Sequence, residues 1–223
     1  MVIAARREER LAACREAFSG PGSRIEAVRC DVRDEENVRS TVERALELFG
    51  KVDILCNFAA ITDAKPLHQL ETAEWEDVIR TNLTGVYFFC KHVIPHMQKQ
   101  RYGRIIHVGS VNGIVGSKVT ARHAYNASKA GLHGLTAGMA ATYMKDGITV
   151  NAVAPGLFPT EMTEAAFASP MSMATYNRIV PAGRPGNLDE LNGTILYLSS
   201  DAASYVTGQV IAVDGGYAVS QLI

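Results

Sequence analysis

The sequence has little of what secreted, membrane-spanning or nucleic-acid-binding proteins need. Its 4 cysteines are widely spaced and form no C-x-x-C pair, which is typical of reduced thiols in a cytoplasmic protein. No apolar run approaches the ~20 residues needed to cross a bilayer, and the start MVIAARREER has too few apolar residues for a signal peptide. Lysine and arginine total 22 against 23 acidic residues, so the chain lacks the excess of basic residues that would favour binding to the phosphate backbone of a nucleic acid. We therefore expect a cytoplasmic protein with no membrane and no nucleic-acid partner.

What is present is typical of one α/β domain. Of the 223 residues, 47% are hydrophobic, and no linker rich in proline, glycine or serine divides the chain. Short apolar runs predict buried strands at residues 2–5, 25–30, 52–58, 104–108, 148–153 and 210–213. Amphipathic stretches predict helices at residues 7–18, 35–49, 72–100 (with Thr72 as N-cap), 124–144 and 187–199. Because the two alternate, we expect a three-layer, doubly wound parallel sheet of the Rossmann-like type, in a single domain over residues 1–223.

The longest stretch without a strand or helix signal covers residues 156–185 and contains four prolines. Long insertions near strand ends in α/β enzymes often cover the substrate. We interpret this stretch as a candidate substrate lid, the alternative being a passive surface loop.

Tyr125 and Lys129 lie four positions apart, on one face of a predicted helix. An unperturbed tyrosine ionises near pH 10, and a neighbouring ammonium favours the phenolate. Bringing the tyrosine pKa to around 7 takes roughly 4 kcal/mol of differential stabilisation. The pair predicts an acid/base site, although by itself a Y-x-x-x-K pair also occurs by chance on helices.

The surroundings of this pair add further polar residues at defined places. In GRIIHVGS, Ser110 lies at the C-terminal end of a predicted strand. In RTNLTGVYFFC, Asn82 is a polar residue within a mainly apolar stretch. VNAVAPG and YVTGQVIAVDGG follow downstream. In this order the motifs resemble the short-chain dehydrogenase/reductase family, over residues 2–216. The resemblance implies that Asn82, Ser110, Tyr125 and Lys129 form a catalytic tetrad.

The implied roles suit the chemistry of each group. Tyr125 would donate a proton to the substrate oxygen during reduction or remove it during oxidation, and Ser110 would orient that oxygen. Lys129 would lower the Tyr125 pKa and bind the nicotinamide ribose. Asn82 would position a water that relays protons from Lys129 to solvent.

The choice of cofactor is readable in VIAARR. Relatives that prefer NAD carry an acid at the end of this strand, whereas here Arg6 follows Ala5, and an arginine suits the 2′-phosphate of NADP. We expect NADP, with NAD less favoured. The resemblance also carries over further cofactor-binding positions, which are Asp31, Val32, Asn57, Ala59, Tyr125, Lys129, Pro155, Gly156 and Thr160. The segment NFAA departs from the family's N-N-A-G at Phe58 and Ala60, which questions the shape of that loop because alanine resists backbone angles that glycine accepts.

The resemblance implies an NADP-dependent oxidoreductase that interconverts a ketone and a secondary alcohol, similar to 3-oxoacyl thioester reductases. A sugar-acid or polyol dehydrogenase resembling gluconate dehydrogenase is the alternative. The expected partner is a small-molecule carbonyl or alcohol substrate, and the family's homotetramers and homodimers imply self-association. No metal site is expected, since His92 and His96 have ligand-like spacing without an obvious third ligand.

The chain opens at what corresponds to the family's second strand. The first strand, its glycine-rich turn and the helix whose N-terminus holds the cofactor pyrophosphate are not in the sequence. We expect either a native start further upstream or a non-catalytic remnant completed by a partner. The absent strand would be interior to the sheet, where its loss leaves backbone groups unpaired.

Overall fold

The computed structural model describes residues 1–20, 22–117 and 120–220. These residues form an alternation of strands and helices, which confirms the α/β fold class. The strands are β1 (Val2–Ala5), β2 (Glu26–Arg29), β3 (Ile54–Asn57), β4 (Gly103–Val108), β5 (Ile148–Pro155) and β6 (Val210–Val213). The helices are α1 (Glu8–Ala17), α2 (Glu35–Phe49), α3 (Thr72–Ile79), α4 (Gly85–Gln100), α5 (His123–Tyr143), α6 (Glu164–Phe167), α7 (Pro170–Ile179), α8 (Asp189–Ser199) and α9 (Tyr217–Ser220).

All strand pairs are parallel, but they fall into two sheets. β1 pairs with β2, while β3, β4, β5 and β6 form a second sheet in that order. The division lies between β1 and β3, which are the two strands that the expected first strand would bridge. Among the described residues, no strand pairs with the second edge of β1 or of β3.

The core is built on β4 and β5, whose apolar residues are almost entirely buried. Successive side chains of a strand point to opposite faces, so Ile105 and Ile106 of β4 enter different clusters. Ile105 packs with Met97 of α4 and Leu132 of α5, whereas Ile106 packs with Leu198 of α8. Helices therefore cover both faces of the larger sheet, as the doubly wound arrangement requires.

The predicted helix over residues 72–100 contains one irregular turn. α3 and α4 are joined by a π-helical turn at Arg80–Thr84, without a break in the helical chain. Thr72 is not the N-cap that the sequence predicted. Glu71 holds that position, in a capping box with Glu74 whose carboxylate accepts the backbone N–H of Glu71.

The stretch at residues 156–185 is more regular than expected, because it contains α6 and α7. Ser169 caps α7 and Pro170 occupies its first turn, where a missing N–H costs nothing. The Tyr176 ring stacks on that of Tyr217 with 5.9 Å between centroids. Val180, just after α7, packs with Val111 and Tyr217, so this segment rests on the C-terminal part of the chain.

No helix in the described part of the chain combines the length and the apolar character needed to cross a membrane.

Candidate active site

The four residues predicted as a tetrad lie on neighbouring elements and are all buried. Ser110 follows the C-terminal end of β4, Tyr125 and Lys129 lie on α5, and Asn82 lies in the π-helical turn. A π-helical turn widens the helix locally and often marks a functional residue. The turn places Asn82 against α5 and the loop that follows β3.

Asn82 connects these two elements through its side-chain amide. Its Oδ1 accepts the Ile61 N–H at 2.8 Å, and its Nδ2 donates to the Ile61 carbonyl at 2.8 Å and to Ser128 Oγ at 3.0 Å. Both Nδ2 protons are therefore used. Any water held by Asn82 must bond to one of its oxygens.

Tyr125 and Lys129 have opposite pKa shifts with the same main cause. Burial raises the pKa of Tyr125 above its ordinary value, against a side-chain hydrogen bond from Ser110 and the charge of Arg122, which act to lower it. Burial lowers the pKa of Lys129 to about 8. The Lys129 Nζ lies 5.6 Å from the centre of the Tyr125 ring and donates to the Val108 carbonyl at 2.6 Å. Desolvation dominates the pKa of Tyr125 in this arrangement, and the Lys129 ammonium bonds to the carbonyl of Val108. The lowering of the Tyr125 pKa by Lys129 stays a prediction.

His107 is a buried titratable residue of β4 that the sequence analysis missed. Its Nδ1 lies 3.2 Å from Asn57 Nδ2, and its Nε2 has no hydrogen-bond partner among the described residues. Burial, helped by the charge of Lys129, lowers its pKa to about 4, so the imidazole is neutral at physiological pH. The sequence signal that could have identified His107 is a histidine in an otherwise apolar strand that leads to Ser110.

The positions expected to hold the adenine end of a cofactor lie near the C-terminal ends of β1 and β2. Arg6 is exposed and has no ion-pair partner in the described part of the chain. Hydrogen bonds from Arg33 lower the pKa of Asp31 to about 2, and Arg6 contributes a smaller effect of the same sign. The Arg33 Nη2 lies 2.7 Å from the Asp31 carboxylate, a contact that sequence reasoning missed. The backbone of Val32 is held so close to α4 that a Cβ on Gly85 would lie 2.8 Å from the Val32 carbonyl oxygen.

The remaining cofactor candidates divide between buried and accessible positions. The Asn57 side chain is buried and forms a hydrogen bond with His107. Ala59, in contrast, is exposed. Ala60 raises no conformational problem, because Arg101 is the one described non-glycine residue with a positive φ.

Three further candidates lie at and beyond the end of β5. Pro155 ends this strand, and a Cβ on Gly156 would lie 2.9 Å from the Asp214 Cα. Thr160 forms a capping box with Thr163 around the short helix Glu161–Thr163.

These residues fit a nicotinamide dinucleotide at its two ends. Lys129 keeps two N–H donors for ribose hydroxyls beside Tyr125. Arg6 offers an exposed guanidinium, without an ion pair in the described ranges, for a 2′-phosphate. The described residues offer fewer favourable contacts to the diphosphate that joins these two ends. The N-terminus of α1 is a poor phosphate site, because Glu8 and Glu9 lie in its first turn, where carboxylates repel phosphate, and Arg7 is bound to Glu161 at 2.7 Å.

Comparisons with known proteins show the family to which the chain belongs. A family described as Enoyl-(Acyl carrier protein) reductase matches residues 1–218. The chain is 42% identical to a cis-4-hydroxycyclohexanecarboxylate dehydrogenase from Sinomonas cyclohexanicum over 202 residues, 90% of this chain and 80% of that protein. It is 40% identical to the 3-oxoacyl-[acyl-carrier-protein] reductase of Escherichia coli K12 over 195 residues, 87% of this chain and 78% of that protein.

Solved structures lead to the same family. A gluconate 5-dehydrogenase from Burkholderia cenocepacia J2315, solved with NADP and tartrate, superposes with a TM-score of 0.91 at 34% identity. The superposition covers 98% of this chain and 85% of that one. The chain belongs to the short-chain dehydrogenase/reductase family of oxidoreductases.

Proposed function

We propose that this oxidoreductase interconverts a ketone and a secondary alcohol with NADP, using Tyr125 as the acid/base. The observation that carries the proposal is the burial of Ser110, Tyr125 and Lys129 together at the end of β4, with the Lys129 Nζ 5.6 Å from the centre of the Tyr125 ring. When bound, NADP supplies the hydride chemistry at the substrate carbon. The chain's own part is to hold the substrate oxygen and to move one proton.

Tyr125 is the group that exchanges this proton with the substrate. Its raised pKa keeps the phenol protonated at neutral pH, so it is ready to donate to a carbonyl oxygen in the direction of reduction. Ser110 hydrogen-bonds the same oxygen and orients it. In the direction of oxidation Tyr125 must first lose its proton, which higher pH favours.

Lys129 and Asn82 complete the proposed proton path. A lysine with a pKa of about 8 exchanges protons readily near neutral pH. Asn82 holds a relay water through an oxygen, since both its Nδ2 protons are engaged. Lys129 also binds the nicotinamide ribose through its remaining donors.

We further propose that the cofactor lies along the ends of β1, β2, β3 and β5. Arg6 binds the 2′-phosphate, which makes NAD the less favoured cofactor. The NADP in the Burkholderia structure supports this choice. The remaining contacts are assigned to Asp31, Val32, Asn57, Ala59, Pro155, Gly156 and Thr160.

The substrate we favour is a 3-oxoacyl thioester or a related ketone, as in the E. coli relative. Residues 156–185 act as its lid.

A hydroxy-carboxylate dehydrogenase is the second candidate, and Arg122 favours it. Arg122 is half-buried at the N-cap of α5 and has no ion-pair partner in the described ranges. Its charge reaches Tyr125, whose pKa it lowers. A cation in this position suits a substrate that carries both a carboxylate and a secondary alcohol, as the name of the Sinomonas relative describes.

The test combines cofactor binding with turnover. NADPH fluorescence gives the dissociation constant, and absorbance of the reduced nicotinamide follows turnover of 3-oxoacyl thioesters, neutral ketones and hydroxycarboxylates. We expect Tyr125→Phe to lower kcat by about 10²–10⁴-fold in a chain that still binds NADPH, because the other cofactor contacts remain. The control is Tyr205→Phe, at a phenol that is 94% exposed. Normal turnover by Tyr125→Phe would remove Tyr125 from its role, and a wild-type chain that binds no NADPH would favour the non-catalytic alternative.

Self-association as a homotetramer or homodimer, and a cytoplasmic location, stay predictions. Light scattering on the purified chain tests the first, and a monomer at micromolar concentration would contradict it.

A further inference from the structure

Asp63 lies in the loop after β3 and reaches the N-terminus of the helix that carries Tyr125. Its side chain is buried, with 7% of its surface exposed. Its Oδ1 accepts the backbone N–H of Tyr125 at 2.9 Å, and its Oδ2 accepts that of Ala124 at 3.3 Å. One carboxylate therefore serves two consecutive N–H groups of α5 from a distant part of the chain.

The first turn of α5 needs such an acceptor. The initial N–H groups of an α-helix have no acceptor within the helix. Arg122, which precedes α5, makes no side-chain capping bond. A carboxylate at this end also meets the positive end of the helix dipole. Asp63 thus replaces the local cap that the sequence before α5 does not provide.

The same loop is attached to α5 at a second point. Ile61 is hydrogen-bonded in both directions to Asn82, whose amide also bonds to Ser128 on α5. The Ile61 side chain packs with Ala124 and Tyr125. The backbone that bears Tyr125 is therefore held from the loop at residues 61–63.

We propose that Asp63 is a positioning residue for Tyr125: by capping α5 from the loop after β3, it sets the place of the phenol relative to Ser110 and to the loop at residues 57–61. Asp63 does not touch the substrate oxygen and exchanges no proton. The kinetic consequence rests on the proposed function, whereas the capping itself does not.

Kinetics test the consequence through the split between kcat and KM. Because a shift of about 1 Å in a reacting group costs on the order of 10²-fold, we expect Asp63→Ala to lower kcat by roughly 10- to 100-fold with little change in KM. Asp63→Asn keeps one acceptor oxygen and loses the other, so we expect its kcat to lie between those of the wild-type chain and Asp63→Ala. The matched control is Asp34→Ala, which removes another aspartate cap, that of α2, where Asp34 accepts the Glu36 N–H at 2.9 Å. This control lowers stability and leaves kcat unchanged.

Amide hydrogen exchange tests the capping without turnover. We expect the amides of Ala124 and Tyr125 to be protected in the wild-type chain and to exchange at least about 10-fold faster in Asp63→Ala. The Leu132 amide, in the middle of α5, serves as the internal reference. Unchanged exchange at Ala124 and Tyr125 would overturn the capping, and an unchanged kcat in an active enzyme would overturn the positioning role. If the wild-type chain shows no turnover, the proposed function fails while the exchange experiment still decides the capping.

Discussion

Lys129 donates a hydrogen bond from its Nζ to the carbonyl oxygen of Val108 at 2.6 Å. This contact ties the middle of the α5 active-site turn to the last residue of β4, directly before the Gly109–Ser110 corner. The lysine is 2% exposed, and its pKa is lowered to about 8 by burial. The contact satisfies one of its protons, but the charge itself remains a cost to the folded state.

Replacing this lysine should stabilise the chain and abolish its proposed activity. The unfolded chain holds the Lys129 proton up to its ordinary pKa of 10.5, whereas the folded chain loses it near 8. Below pH 8 both states are protonated, so folding carries the full penalty, on the order of 3 kcal/mol, which disappears as the pH rises towards 10.5. We expect Lys129→Met to raise the free energy of unfolding by about 1–3 kcal/mol at pH 7, with a smaller gain at pH 10. Urea denaturation at both pH values measures this, with Lys99→Met at an exposed site as control. A loss of stability at pH 7 would contradict the prediction.

His107 should make the fold sensitive to acid. Its pKa is about 4 in the folded chain against an ordinary value of 6.5, so the unfolded chain binds the proton first. Stability is therefore lost as the pH falls from 6.5 towards 4, by up to about 3 kcal/mol. We expect His107→Gln, whose amide oxygen can accept the bond from Asn57, to flatten this loss. The measurement is urea denaturation at pH 7 and pH 5, with His96→Gln for comparison. Equal losses in the wild-type chain and His107→Gln would argue against this role.

Arg6 should determine the preference between the two cofactors. A guanidinium bound to a 2′-phosphate contributes roughly 1.5–3 kcal/mol, or about 10- to 100-fold in affinity. We expect Arg6→Ala to weaken NADPH binding by this factor and to leave NADH binding unchanged. Fluorescence titration with both cofactors measures the ratio, and Arg15→Ala, on the exposed face of α1, is the control. If NADPH and NADH binding weaken equally, the 2′-phosphate lies elsewhere.

Arg122 should distinguish the two candidate substrate classes. If the substrate carries a carboxylate, Arg122→Gln raises its KM by at least about 10-fold and leaves the KM of a neutral alcohol unchanged. The same change removes a charge that lowers the Tyr125 pKa, so the pH at which alcohol oxidation begins moves upwards. Steady-state rates over a pH series, with both substrates, give the two effects together. Equal changes in KM for both substrates would favour the thioester candidate.

Much of the fold could be predicted from local patterns. The strands at Val2–Ala5 and Val210–Val213 and the helix at Glu35–Phe49 have the expected bounds, because apolar periodicity and the stop at Gly50 are local signals. The structure of the stretch at residues 156–185 was harder to predict from the sequence. Its helix α7 is partly apolar on the face that meets Tyr217, and that contact lies outside any local sequence window.

By itself, the sequence determined the α/β class through the alternation of strand and helix patterns, and its ordered motifs determined the resemblance to the family, which implied the four residues proposed for catalysis. Only the tertiary structure decided which partner each of these groups meets. Asp63 caps the helix of Tyr125, Arg33 occupies Asp31, and Lys129 bonds to a backbone carbonyl. The tertiary structure also decided the pKa shifts of Tyr125 and Lys129, since burial is the main cause of both. Burial and long-range hydrogen bonds arise when distant segments pack together, and no periodicity along the chain records them.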